Sequence, residues 1–82
     1  MPYGAPRDLS ARDLISVLGR FEYEVDHQTG SYVRLTARTG GEHHITIPAH
    51  DPIKIGTLNS ILRDVARHRG LGRDELLKQL FD

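Results

Sequence analysis

The chain has 82 residues, 38% hydrophobic and 27% charged, with 11 Lys and Arg balanced by 11 Asp and Glu. A chain of this length builds one core, hiding only about 60% of its unfolded surface, which excludes a second domain and a large buried cofactor. It contains no cysteine, which excludes disulfides, thiolate zinc sites and thiol chemistry. Any reaction falls to His, Tyr, Ser, Thr or carboxylates, and no cofactor is expected. No run approaches the roughly 20 apolar residues of a membrane span, and MPYGAPRDLS lacks a secretion-signal pattern. A cytoplasmic location without membrane contact is expected.

Pro2, Gly4 and Pro6 mark residues 1–8 as a flexible arm, leaving a single domain over residues 9–82. Ser10 is placed to cap a helix from Ala11 to about Leu18, with Leu9 and Leu14 spaced as a hydrophobic staple. Leu14, Ile15 and Leu18 form its apolar stripe, and Gly19 is the expected stop. From Phe21 the period becomes two. Phe21, Tyr23 and Val25 alternate with Glu22, Glu24 and Asp26, which predicts a strand with an acidic outer row. Val33 and Leu35, alternating with Tyr32, Arg34 and Thr36, predict a second strand. Keeping both apolar rows on one face calls for a three-residue loop, Gln28 to Gly30, with Gly30 left-handed. That register sets Val25 opposite Val33, Tyr23 opposite Leu35, Glu24 opposite Arg34 and Asp26 opposite Tyr32.

Arg38 to Gly41 reads as a turn and Glu42 to Ile47 as a third strand, with His44 and Thr46 outward and Pro48 ending it. Pairing Thr36 with Glu42 puts Arg34 opposite His44, which then lies diagonal to Tyr32 at roughly 7–8 Å. Thr57 is expected to cap a second helix that buries Leu58, Ile61, Leu62 and Val65 and carries Asn59, Arg63 and Arg67 on another face. Gly70 stops it, Leu71 closes the cap, and Asp74 to Phe81 forms a short terminal helix. The fold class is therefore α+β, in the order α-β-β-β-α-α, a three-stranded antiparallel sheet with helices on one face.

Five histidines raise a metal site, but His43 and His44 are adjacent on a strand and point to opposite faces, so no metal is expected. His27 flanks the hairpin turn, and His68 follows Asp64 by one helical turn; both read as structural. Gly40-Gly41 lies in a hairpin turn with no helix after it, so it is no phosphate loop. What remains is a surface. The outer sheet face collects Tyr32, Arg34, Thr36, His44 and Thr46, a set able to stack on an unpaired base and hold a phosphate. Within residues 53–73, Lys54, Arg63, Arg67, Arg69 and Arg73 stand against one acid, Asp64, which gives a basic segment suited to phosphates.

The stretches Gln28-Thr29-Gly30-Ser31-Tyr32-Val33-Arg34-Leu35, Ile45-Thr46-Ile47-Pro48-Ala49-His50 and Gly56-Thr57-Leu58-Asn59-Ser60-Ile61-Leu62 together resemble the HicA (YcfA-like) family of small bacterial toxins. The resemblance runs over about residues 9–81. It implies an α-β-β-β-α core like the double-stranded RNA-binding domain. It also implies an endoribonuclease that cuts single-stranded mRNA and is neutralised by a HicB-like antitoxin. In that family the turn motif ends Gly-Ser-His and the histidine is catalytic. Here Gly30 and Ser31 match, while Tyr32 stands in place of the histidine; His50 also matches a frequent family position but reads as a loop anchor.

That replacement sets the expectation for activity. Cleavage beside a ribose 2′-hydroxyl needs a group that exchanges a proton near neutral pH; imidazole does so, whereas a phenol with pKa of about 10 stays protonated. The expected site is thus Tyr32 at the catalytic position, supported by Gly30, Ser31, Arg34 and His44, with Arg63, Arg67 and Lys54 binding RNA. The expected outcome is RNA binding with cleavage lost or impaired. The alternative is a non-catalytic module that binds RNA or an antitoxin. The free protein is expected to be a monomer.

Overall fold

The computed structural model describes residues 9–81; the arm proposed for residues 1–8 lies outside them. Helix α1 spans Ala11–Leu18, strand β1 Glu24–Gln28, β2 Tyr32–Ala37 and β3 His43–Pro48, followed by α2 over Ile55–Arg69 and α3 over Arg73–Phe81. The sheet is antiparallel in the order β1-β2-β3, so the α-β-β-β-α-α reading holds. No helix among the described residues is long and apolar enough to cross a membrane.

Ser10 caps α1 as its position predicts, accepting the Asp13 N–H at 3.1 Å. Gly19 does not reverse the chain. It keeps a right-handed conformation and opens a 3₁₀ turn over Gly19–Phe21, and Glu22 takes the left-handed position at φ 66°. That reversal costs β1 its first residues: Phe21 is not in the strand, Tyr23 enters the core just before it, and Val25 is 50% exposed. The α2 helix packs against β3 and α3 against α1 and α2, which leaves Val25 on the uncovered edge.

Both registers differ from the expected ones. In the first hairpin Val25 pairs with Leu35 and His27 with Arg34, and the residue between them, Asp26, is an unpaired bulge. A bulge breaks the period of two and re-aims a side chain. The loop is Thr29 to Ser31, and Gly30 has no positive φ. The Thr29 Oγ1 holds that turn by accepting the N–H groups of Ser31 at 3.1 Å and Tyr32 at 3.2 Å. In the second hairpin Thr36 pairs with His44 and Tyr32 with Pro48, a slip of two residues that preserves parity. The observed register matches Leu35 with Ile45 and Val33 with Ile47, whereas the expected one set buried Leu35 against His43. Apolar matching on the inner face decides it. Pro48 is tolerated because β3 is an edge strand.

The α2 helix begins at Ile55 with Lys54 at its cap and no side-chain cap bond, three residues before the expected cap Thr57. Its end follows the sequence: Gly70 is left-handed at φ 66°, and Leu71 donates its N–H to the Ala66 carbonyl at 2.9 Å. The core sits between sheet and helices. Leu14 and Leu18, Leu35 and Ile47, Leu58, Leu62 and Val65, and Leu76, Leu77 and Leu80 are all fully buried. The sheet's other face is left to solvent.

Candidate functional site

That exposed face carries Tyr32, Arg34 and Thr36 from β2, His44 and Thr46 from β3, and Asp26 and His27 from the bulged β1. At one end Tyr32, 36% exposed, has its ring 6.2 Å from that of His27. At the other end is a polar chain. Thr36 is only 2% exposed; its hydroxyl lies 3.0 Å from Asp26 Oδ2 and 2.8 Å from His44 Nδ1. Arg34 Nε stands 3.8 Å from the same Asp26 oxygen, and His44 Nε2 lies 3.5 Å from Glu42 Oε2.

The face therefore divides in two. Because His44 pairs with Thr36, it stands four residues along β2 from Tyr32, about 13 Å at roughly 3.3 Å per residue, rather than diagonal to it. Asp26, expected across from Tyr32, is drawn by the bulge to Thr36 and Arg34. Gly30 and Ser31 shape the turn before Tyr32, where the Ser31 carbonyl accepts the Ala49 N–H at 2.9 Å. The chain that runs from Asp26 through the Thr36 hydroxyl to His44 is not legible in the sequence, although all three residues were placed on strands.

His43 and His44 do point to opposite faces. Tyr23 Oη lies 2.7 Å from His43 Nδ1, and the His43 ring stacks on that of His68. Burial pushes the His43 imidazole below its ordinary value and the neighbouring His68 adds to this, with Asp64 opposing and His44 reinforcing. Burial likewise raises the Tyr23 phenol, against the pull of Arg69 and with the push of Asp64.

The basic residues do not form one surface with the sheet face. Arg69 is structural: its guanidinium covers the Phe21 ring at 5.0 Å and donates to the Phe21 carbonyl. Arg63 and Arg67 line a groove with Asn59, Leu71 and Arg73, and Arg73 donates to Asn59 Oδ1 at 3.1 Å. This groove lies on one flank of α2. The other flank, with Thr57, Ser60 and Asp64, meets His44, Thr46 and Pro48 across an open hollow along the β3 edge. Lys54, exposed at the α2 cap, belongs to neither.

A family model described as HicA toxin of bacterial toxin-antitoxin matches residues 11–66. No curated relative and no solved structure matches the chain. The family match ends inside α2, while α3 lies beyond it and supplies three of the fully buried leucines.

Proposed function

The chain belongs to the HicA family of toxins of bacterial toxin–antitoxin systems, so its partner is an antitoxin, and on that footing we propose that it acts on single-stranded mRNA. The outer sheet face is the RNA-binding and cleaving surface, and the antitoxin is of the HicB type. The observation that carries this reading is the face itself. Tyr32 offers a ring for stacking and Arg34 a partly exposed cation, beside the imidazoles of His27 and His44 and the hydroxyl of Thr46. An unpaired base needs a flat partner and its phosphate a cation, and both stand on this face.

A second reading, a protein-interaction module with no RNA function, rests on the neutral net charge and the acidic row Glu22, Glu24 and Asp26. Two of those carboxylates are engaged locally, Asp26 with Thr36 and Arg34 and Glu22 with Thr39, which removes much of its support.

The test is binding of an unstructured RNA oligonucleotide over a salt series. Affinity is expected to fall as salt rises, since phosphate neutralisation releases counterions. Affinity at low salt no greater than that of a neutral control protein would overturn the RNA reading in favour of the interaction module.

A further inference from the structure

We infer that His44 is the proton-transferring group for RNA scission, with Asp26 and Thr36 as positioning residues that fix which of its nitrogens is free. This rests on the ribonucleolytic reading above and goes beyond it by replacing position 32 as the seat of the chemistry.

The argument is one of proton counting. The Thr36 hydroxyl has one hydrogen and two neighbours within bonding distance, Asp26 Oδ2 at 3.0 Å and His44 Nδ1 at 2.8 Å. An ionised carboxylate only accepts, so the hydroxyl hydrogen goes to Asp26. The Thr36 oxygen then presents a lone pair to His44, and Nδ1 must donate to it. Neutral His44 thus carries its proton on Nδ1 and leaves Nε2 bare. Thr36 is almost wholly buried by this arrangement, so an unmatched partner there would be costly. Nε2 lies 3.5 Å from the exposed Glu42 carboxylate, on a side chain that is itself 39% exposed, and that carboxylate is placed to receive the N–H once Nε2 has gained a proton.

The other imidazoles lack this arrangement. His43 and His68 are stacked on each other behind the sheet, with His43 Nδ1 taken by Tyr23. His27 meets the Tyr32 ring at 6.2 Å, and His50 is exposed in the loop after β3. Beside His44, the hollow along the β3 edge offers the hydroxyls of Thr46, Thr57 and Ser60, groups suited to a ribose-phosphate chain.

The reaction follows from the geometry. Nε2 takes the proton of a ribose 2′-hydroxyl, O2′ forms a bond to the adjacent phosphorus, and the bond from phosphorus to the 5′-oxygen breaks. The leaving oxygen takes a proton from water, the hydroxide so formed takes the proton back from Nε2, and the products are a 2′,3′-cyclic phosphate and a 5′-hydroxyl. Arg34, the next outward residue along β2 from Thr36, faces the negative charge gathering on the phosphate oxygens. A 2′-deoxy substitution at the scissile nucleotide removes the nucleophile and blocks cutting without blocking binding.

The experiment combines a spectroscopic and a kinetic readout. Long-range proton–nitrogen NMR on the full chain is expected to show the neutral His44 ring protonated at Nδ1, and to show that preference lost in Thr36→Val, which keeps the side chain's shape. With an unstructured RNA, His44→Ala is expected to cut roughly 10²- to 10⁴-fold more slowly, a loss in kcat far larger than any change in KM. Its rate should also lose the acidic limb of the parent's pH profile. Thr36→Val should lower kcat more than it changes KM. Cutting by His44→Ala at the parent rate, or a parent ring protonated at Nε2, would overturn the inference. Binding without cutting by the parent overturns the inference alone, whereas absence of binding overturns the RNA reading with it.

Discussion

The rings of His43 and His68 lie face to face, with 4.5 Å between centroids and 14° between planes. Burial of His43 favours its neutral form and the adjoining His68 adds to this, so its folded pKa lies below the ordinary 6.5. Asp64 is the one nearby carboxylate acting the other way. The unfolded chain therefore binds the proton more readily. The resulting stabilisation is fully present above about pH 6.5 and is lost as pH falls through the folded pKa. Thermal melts between pH 7.5 and 5.5 are expected to show Tm falling with pH. His68→Gln, which removes the lesser contribution of the stacked ring, should reduce that slope without abolishing it; an unchanged slope would refute the coupling.

The terminal helix is expected to be indispensable even though the family match ends before it. Leu76, Leu77 and Leu80 are fully buried, and Arg20 donates to the Leu80 carbonyl at 3.1 Å. Burying a leucine contributes about 1.5–3 kcal/mol, so three of them compare with the whole stability of a small domain, about 5–15 kcal/mol. A chain ending at Gly72 should be unfolded by circular dichroism. Leu77→Ala alone should cost about 2–5 kcal/mol in urea unfolding.

Gly30 and Gly70 make opposite predictions. A side chain added at either meets no atom within 4 Å, but only Gly70 has a positive φ, at 66°. Gly70→Ala forces a left-handed alanine and should cost roughly 1–2 kcal/mol. Gly30→Ala should fold with unchanged Tm. A loss at Gly30 equal to that at Gly70 would contradict the observed turn, in which Thr29 rather than a left-handed glycine supplies the closure.

These contrasts show which parts of the fold could be read from the sequence. The limits of α1, the Ser10 cap, the Gly70 stop and the order of elements were legible because each depends on residues within one or two turns of the chain. Register was not. A slip of two residues leaves every side chain on its own face, so alternation alone cannot distinguish Thr36 opposite Glu42 from Thr36 opposite His44. The Asp26 bulge and the left-handed Glu22 carry no glycine to announce them. The candidate residues were thus found on the correct face, while their partners, which decide the chemistry, were displaced by one pair.

Arg63 and Arg67 line their groove without an ion pair among the described residues. If RNA crosses this flank as well as the sheet face, each lost phosphate contact lowers the slope of log affinity against log salt by about 0.7 for a single strand. The double variant Arg63→Ala with Arg67→Ala is expected to lower it by about 1.4 and to leave the His44 tautomer untouched. An unchanged slope would confine RNA to the sheet face and leave the groove to the antitoxin, which a pull-down of the pair with the same variant would reveal.

Tyr32 carries the last prediction. Its N–H and carbonyl hold the turn with Thr29, so replacing the side chain should leave the fold intact. The carboxylate once expected opposite it is committed to Thr36 and Arg34. An imidazole at position 32 would have no carboxylate to set its tautomer and would stand about 13 Å from His44, too far for both to act on one phosphate. The phenol's use is its flat face. Stacking a base on an aromatic ring is worth about 1–3 kcal/mol, so Tyr32→Ala should weaken RNA binding by roughly 5- to 150-fold. Tyr32→Phe should stay within about twofold of the parent. For cleavage, Tyr32→His should run near the parent rate, and His44→Ala should be slow with either residue at position 32. Rates on one defined RNA, with Tm as the check on folding, decide the matter: an inert parent made active by Tyr32→His would return the acid–base role to position 32 and leave His44 as a structural partner of Thr36.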